Sequence, residues 1–307
     1  MGRPGRAPRP LHAGGRTCGG AAGRAGGVPA ALGFCPKVCA PCEIDYIGWV
    51  VRTLDQIKAD IAGCKAALDG LRALQGHTLD HLQRYYDVEL TYTSNAIEGN
   101  TLTYRETAEL IEHGITVGGK PLRDHLEAVD HYDAVQWMRE TAIGGDQVSE
   151  GIVCELHRRI VLRSSPDIAG IYSNHARRIA GSPVIFPNPA KIPVLMEQFG
   201  QWLAAAPPTP EAAFDAHYRL TAIHPFSDGH GRAARLLMNL MLLRAGYVPV
   251  AVRPEDRKSY LDSLEHASLS DGDLEPFQRV MHIRLHDTLR DYVTALSEGI
   301  APEGRHP

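Results

Sequence analysis

The stretch HPFSDGHGRAAR, His224 to Arg235, sets two imidazoles, one carboxylate, two glycines and two guanidinium groups in twelve positions. An imidazole takes a proton near neutral pH, a carboxylate holds a hard cation, and arginines pair with phosphate through charge-assisted bonds. Glycines let an anion come close to the backbone. Taken singly, the residues have plainer roles: Asp228 suits an N-cap, His224 before a proline suits a structural hydrogen bond, and first-turn arginines are commonly solvated. Together they point to a polyphosphate site with a base and a metal ligand beside it.

Local chain chemistry arranges these groups. Pro225 disfavours the α conformation in the residue before it, so the helix over 212–223 stops at His224 and presents it at its end. A new apolar helix begins near Gly231 or Arg232 and runs to Gly246, which fits a C′ position. The loop therefore feeds a helix N-terminus, where free N–H groups and the macrodipole favour an anion. Arg232 and Arg235, three apart, share a face of the first turn. Cations at that end oppose the dipole, which is easier to understand if an anion binds there.

The rest of the chain must hold this loop. Its 307 residues are 44% hydrophobic and 22% charged, ordinary for a globular protein. No apolar run approaches the roughly 20 residues of a spanning helix, so no membrane segment is expected. A net charge of −4 gives no reason to expect nucleic acid. Residues 1–42 carry no Asp or Glu and are rich in Gly, Ala, Pro and Arg, so they are expected to form a disordered leader. Cys18, Cys35, Cys39 and Cys42 fall inside it; their spacing admits a zinc site, but nothing around them would frame one. The two other cysteines, Cys64 and Cys154, suggest a reduced, cytoplasmic body.

Beyond the leader the periodicity is helical. Leu54, Ile57, Ile61, Leu68 and Leu71 mark one helix ending near Gly76, and a second ends at Gly99 and Asn100. Thr103 with Glu106 is a capping box. The exception is 166–190, where β-branched residues alternate with Gly, Pro and Ser and predict a hairpin at 171–187. The expected fold class is all-α with one β-hairpin excursion. A helical region at 43–120 precedes a core at 121–295, and a tail follows at 296–307. The spaced pairs His77/His81 and His282/His286 lack the Glu of a zinc-protease helix and are expected to be ordinary surface histidines. Only about 15 residues follow the last helix core, so no further DNA-binding domain is expected.

HPFSDGHGRAAR resembles the signature of the Fic domain, H-P-F-x-D/E-G-N-G-R-x-x-R, and the likeness spans roughly residues 80–290. The resemblance implies a Fic-type helical domain whose members mostly transfer AMP from ATP to a Ser, Thr or Tyr hydroxyl of a target protein. By position, it implies that His224 is the base, that Phe226 anchors the loop and that Asp228 binds Mg2+. It further implies that Gly229, His230 and Gly231 form the anion hole, that Arg232 holds the β-phosphate region and that Arg235 holds the γ-phosphate. SNAIEGN, Ser94 to Asn100, is similar to the family's inhibitory pattern S/T-x-x-x-E-G/N, which implies that Glu98 pairs with Arg235 and takes the place of the γ-phosphate. The hairpin would be the family's flap, with Ile185 and Phe186 over the active site, registering the target by strand addition.

Two positions depart from the pattern. His230 stands where AMP-transferring members usually carry Asn, and Ser173 stands where relatives often have Arg. The expectation is an autoinhibited protein adenylyltransferase that uses ATP and Mg2+, with a target that includes the chain itself as an option and with a homodimer possible. A different phosphate-containing donor, AMP removal using Glu98, and a silent nucleotide-binding regulator are the alternatives.

Overall fold

Apolar periodicity becomes ten α-helices in the computed structural model, which describes residues 52–72, 76–145, 147–179 and 181–298. They are α1 (Leu54–Arg72), α2 (Gly76–Ile97), α3 (Tyr104–His113), α4 (Leu122–Gly144), α5 (Glu150–Ile160), α6 (Ile192–Ala205), α7 (Pro210–Ile223), α8 (His230–Arg244), α9 (Arg257–Leu269) and α10 (Glu275–Glu298). The expected leader and its cysteines lie outside the described residues, as do the side chain of His77 and the expected tail beyond Glu298. None of the described helices is long and apolar enough to cross a membrane.

The arrangement centres on α8. Ala233, Ala234, Leu237, Met238, Leu240 and Leu242 are fully buried, as expected of a helix apolar on all sides. It packs against α2, α4, α5 and α7, while α1 runs along α10. Polar residues of this helix, Arg232 and Asn239 among them, share the interior. Asn239 exchanges hydrogen bonds with both backbone groups of Val250 (2.7 and 3.1 Å), which satisfies its buried amide. Arg232 belongs to the site.

Caps fall where the sequence places them. Thr103 and Glu106 form both bonds of the capping box at α3, and Gly114 closes that helix at φ 67°. Thr209 caps α7 with Pro210 in its first turn. α2 ends at Ile97, so Glu98 leads a turn instead of continuing the helix, and Arg257 Nε donates to the Ile97 carbonyl at 2.9 Å. That bond fixes the end of α2, and with it Glu98.

Two expectations need correcting. At 171–187 the chain leaves the helical core as predicted, yet no strand forms among the described residues. Ser182 N–H closes a turn on the Ile179 carbonyl with Gly181 at φ 83°, but Pro183 and Pro187 remove two donors from the returning arm, and the arms do not pair. His282 and His286, expected at the surface, are buried at 1% and 8% exposure. His282 faces the Gln278 carbonyl and Glu211, and His286 faces Asp287, so each imidazole has its own partners.

Candidate active site

His224 is the C-cap of α7 and adopts φ 53°, ψ 55°, while its N–H still closes on the Leu220 carbonyl at 3.0 Å. A left-handed backbone at a residue other than glycine carries strain of about 1–3 kcal/mol and persists where surroundings impose it. Here Pro225 denies the helical alternative. The imidazole is 6% exposed, stacked under Phe186 (centroids 3.9 Å apart) and against His230 (3.4 Å). Burial, then the neighbouring charges of His230 and Arg177, push its pKa down to about 3 against the opposing Thr221 carbonyl and Glu98. His224 is therefore neutral at pH 7, the form that accepts a proton.

Phe226 anchors the loop. It is fully buried and lies flat on the His157 ring of α5, with centroids 3.7 Å apart and planes within 1°. His157 Nδ1 accepts from Gly170 N–H at 3.0 Å, so the ring proton sits on Nε2, which donates to the Asp228 carbonyl at 2.9 Å. One neutral imidazole thus ties the loop to α5 and to the segment after it. Ser173 N–H reaches the Pro225 carbonyl at 2.8 Å, so the position that departs from the family pattern still supports the loop through its backbone.

α8 begins at His230, one residue earlier than expected, with Gly229 as its N-cap at φ 73°. A side chain at 229 would meet Val161 Cγ1 at 3.1 Å and Ile160 Cδ1 at 3.2 Å, so a glycine satisfies both the backbone and the space. Asp228 is not the cap. Its Oδ1 accepts Gly229 N–H and its Oδ2 accepts from Arg123 of α4, each at 2.7 Å. Burial alone would raise this carboxyl, but Arg232, the Gly229 N–H and Arg123 hold it below the usual carboxylate range.

Arg232 and Arg235, near the start of α8, are 2% and 4% exposed. Arg232 faces Asn95 Oδ1 (3.4 Å), Glu127 (3.7 Å) and Asp228 (3.9 Å), all long contacts that leave Nε without a bond among the described residues. Arg235 is better held. Its Nε donates to Ser94 Oγ and Nη2 to the Ser94 carbonyl, both at 2.9 Å, while Nη2 also reaches Glu98 Oε1 at 2.7 Å. From behind, Nη1 contacts the Tyr260 hydroxyl (3.4 Å), itself 2.8 Å from His217 Nε2. The Glu98 carboxylate also lies directly over Gly231: a Cβ built there would collide with Glu98 Oε1. An anionic oxygen of the protein's own thus sits on the helix N-terminus, where a bound anion is most favoured.

The predicted residues His224, Asp228, Gly229, His230, Gly231, Arg232, Arg235, Ser94, Glu98 and Phe186 converge here. Ile185 is 73% exposed and points away from the packed core. His157, Arg123, Glu127, Tyr260 and His217 were not expected. A signal for His157 exists: it continues the apolar face Val153, Leu156, Ile160 of α5. The others reach the site from α4, α7 and α9.

Several of these imidazoles are buried in the neutral form, which makes stability depend on pH. Burial, the largest cause, lowers His157 to about 4 and His217 to about 3, against an ordinary value near 6.5. An unfolded chain binds those protons first, so stability is full above pH 6.5 and is lost as pH falls toward the folded values. Each group costs about 1.4 kcal/mol per pH unit in that window. Urea unfolding at pH 7.0 and 5.5 should therefore show a loss of roughly 2–3 kcal/mol from this pair; equal midpoints would contradict their neutral burial.

The fold and this loop together define a helical domain that sets two buried arginines and a helix N-terminus beside a neutral imidazole. The Fic/DOC family model matches residues 147–242. Protein adenylyltransferase Fic of Nematostella vectensis is 37% identical over 212 residues, covering 66% of this chain and 48% of that protein. Its counterpart in Culex quinquefasciatus is 34% identical over 256 residues, covering 81% and 50%. Among solved structures, Fic-1 (residues 134–508) of C. elegans matches with TM-score 0.70 and 30% identity over 79% of this chain and 73% of that one. A Fic domain containing signaling protein from Bacteroides thetaiotaomicron matches with TM-score 0.74 and 28% identity, covering 80% and 100%. The chain belongs to the Fic family. It spans about half the length of the curated relatives it matches.

Proposed function

We propose that the chain is a protein adenylyltransferase held inactive by its own Glu98. The observation that carries this is the double contact of Glu98, on Arg235 at 2.7 Å and over the Gly231 backbone, where phosphate oxygens of a productively bound nucleotide need to lie. The names and coverage of the relatives support AMP transfer as the chemistry.

His224 takes the proton of a target Ser, Thr or Tyr hydroxyl, whose oxygen attacks the α-phosphorus of ATP. The bond to the β-phosphate breaks and pyrophosphate leaves, its charge met by Arg232, Arg235 and the N–H groups of His230 and Gly231. Phe186, packed on His224, closes the base off on the flap side. Asp228 suits Mg2+: it is a hard oxygen donor with a side chain 46% exposed, and a cationic guanidinium already lies on one of its oxygens. Bound there, the ion supplies charge compensation on the phosphates.

His230 favours one variation. Its ring, beside His224, fills the position where AMP-transferring relatives usually carry Asn, which leaves another phosphate-containing donor open. Incubating the Glu98→Gly protein with Mg2+, a mixture of nucleoside triphosphates and candidate target proteins, then mapping adducts by mass spectrometry, tests both readings. AMP esterified to a Ser, Thr or Tyr is the expected product. A different nucleotide adduct supports the alternative donor, and no adduct sinks both.

A further inference from the structure

Arg123 reaches the loop from the first turn of α4, 105 positions away in sequence, and the chemistry of transfer does not call for it. Its Nη2 donates to Asp228 Oδ2 at 2.7 Å, and its Nε donates to Glu127 Oε1 at 2.9 Å. With Gly229 N–H on Oδ1, both oxygens of Asp228 are engaged. On α4 itself only the Glu127 pair favours a cation here. A positive side chain at a helix N-terminus opposes the dipole, and an Arg four residues before a Glu is the weaker order for a helical pair. The guanidinium is thus shared between Glu127 and Asp228, and it lies on the oxygen that a divalent ion would use.

We propose that Arg123 is a tethered counter-cation that competes with the divalent metal for Asp228 and so sets how far nucleotide binding depends on that metal. The inference rests on the adenylyltransferase reading, in which Asp228 holds Mg2+. Without metal, Arg123 neutralises Asp228 and spares an incoming triphosphate the repulsion of a bare carboxylate. With metal, the guanidinium gives up Asp228 while Glu127 keeps its Nε. Glu127 also faces Arg232 at 3.7 Å and accepts from Asn100 Nδ2 at 3.2 Å, so it is a fixed post for the released side chain.

The side chains of Arg123 and Asp228 are 57% and 46% exposed, so the pair is solvent-screened and its competition with metal is modest, about 1.5- to 5-fold in affinity. High salt weakens it further.

The test is isothermal titration of ATP into the full chain carrying Glu98→Gly and His224→Ala, which removes inhibition and turnover. Titrations are run with Mg2+ and with EDTA, and the ratio of the two dissociation constants is compared with and without Arg123→Gln. The proposal expects Arg123→Gln to tighten Mg-ATP by about 1.5- to 5-fold and to weaken ATP in EDTA, widening the ratio. Arg123→Lys, which keeps the charge, should leave the ratio near that of the parent. An unchanged or narrowed ratio with Arg123→Gln overturns the proposal, and equal weakening in both conditions makes Arg123 a plain phosphate ligand and overturns it too. Asp228→Asn separates the two levels: if it leaves the ratio intact, the metal reading itself fails, whereas if it abolishes the ratio and Arg123→Gln does not move it, only the counter-cation role fails.

Discussion

Replacing Glu98 with glycine raises AMP transfer by about one to two orders of magnitude over the unaltered chain. The estimate follows from what the carboxylate does. A hydrogen bond to a charged group is worth about 1.5–3 kcal/mol, and Arg235, the partner, is 4% exposed and held on its other sides by Ser94 and Tyr260. Productive nucleotide has to displace that contact and also clear the carboxylate from above Gly231. Removing Glu98 leaves Arg235 in place, because both Ser94 bonds survive, so the phosphate site is vacated without being dismantled. Initial rates of label transfer from ATP, with protein and Mg2+ held constant, measure the effect. Equal rates in the two proteins would show that Glu98 does not govern the site.

His224→Ala, made in the Glu98→Gly background, lowers the transfer rate by about 10²- to 10⁴-fold, the usual worth of a positioned general base. The loss falls on the chemical step. His224 sits at the end of α7 against Phe186 and His230, whereas the phosphate-binding groups are on α8, so ATP affinity should change little. The pH profile carries the same signature. A base works in its neutral form, and burial with the His230 charge keeps His224 neutral down to about pH 3. Loss of Glu98, which raises this pKa, moves it no higher. Transfer by the Glu98→Gly protein should therefore persist below the ordinary imidazole value of about 6.5, until the fold itself yields to acid. An inflection near 6.5 in kcat/KM, measured where the protein remains folded, would place the working base elsewhere or in a solvated ring.

How much of this was legible in the sequence depends on how local the cause is. The twelve residues from His224 announce the site because proline, glycine and the helix N-terminus act on their immediate neighbours, and the structure brings His224, Asp228, His230, Arg232 and Arg235 together around the start of α8. Ser94 and Glu98 were legible as a spaced pair, although Glu98 turned out to lie in the turn past α2 and not on the helix. The supports were not legible. His157 acts on Asp228 from 71 positions away, and Tyr260 acts on Arg235 from 25, and no local pattern distinguishes either from a core residue. The flap failed as a hairpin for a related reason: alternating β-branched residues report an extended chain, but pairing also needs donors on both arms, and Pro183 and Pro187 remove two of them. His282 and His286 show the opposite error, since an imidazole with a carbonyl or carboxylate beside it is readily buried.

The most direct measurement of the central claim compares ATP labelled at the α-phosphate with ATP labelled at the γ-phosphate, using the unaltered chain, Glu98→Gly, and Glu98→Gly with His224→Ala. The account predicts that protein-bound label appears with the α-labelled nucleotide only, in Glu98→Gly and far less in the other two. Protein-bound γ-label, or α-label that survives the loss of His224 undiminished, would contradict it.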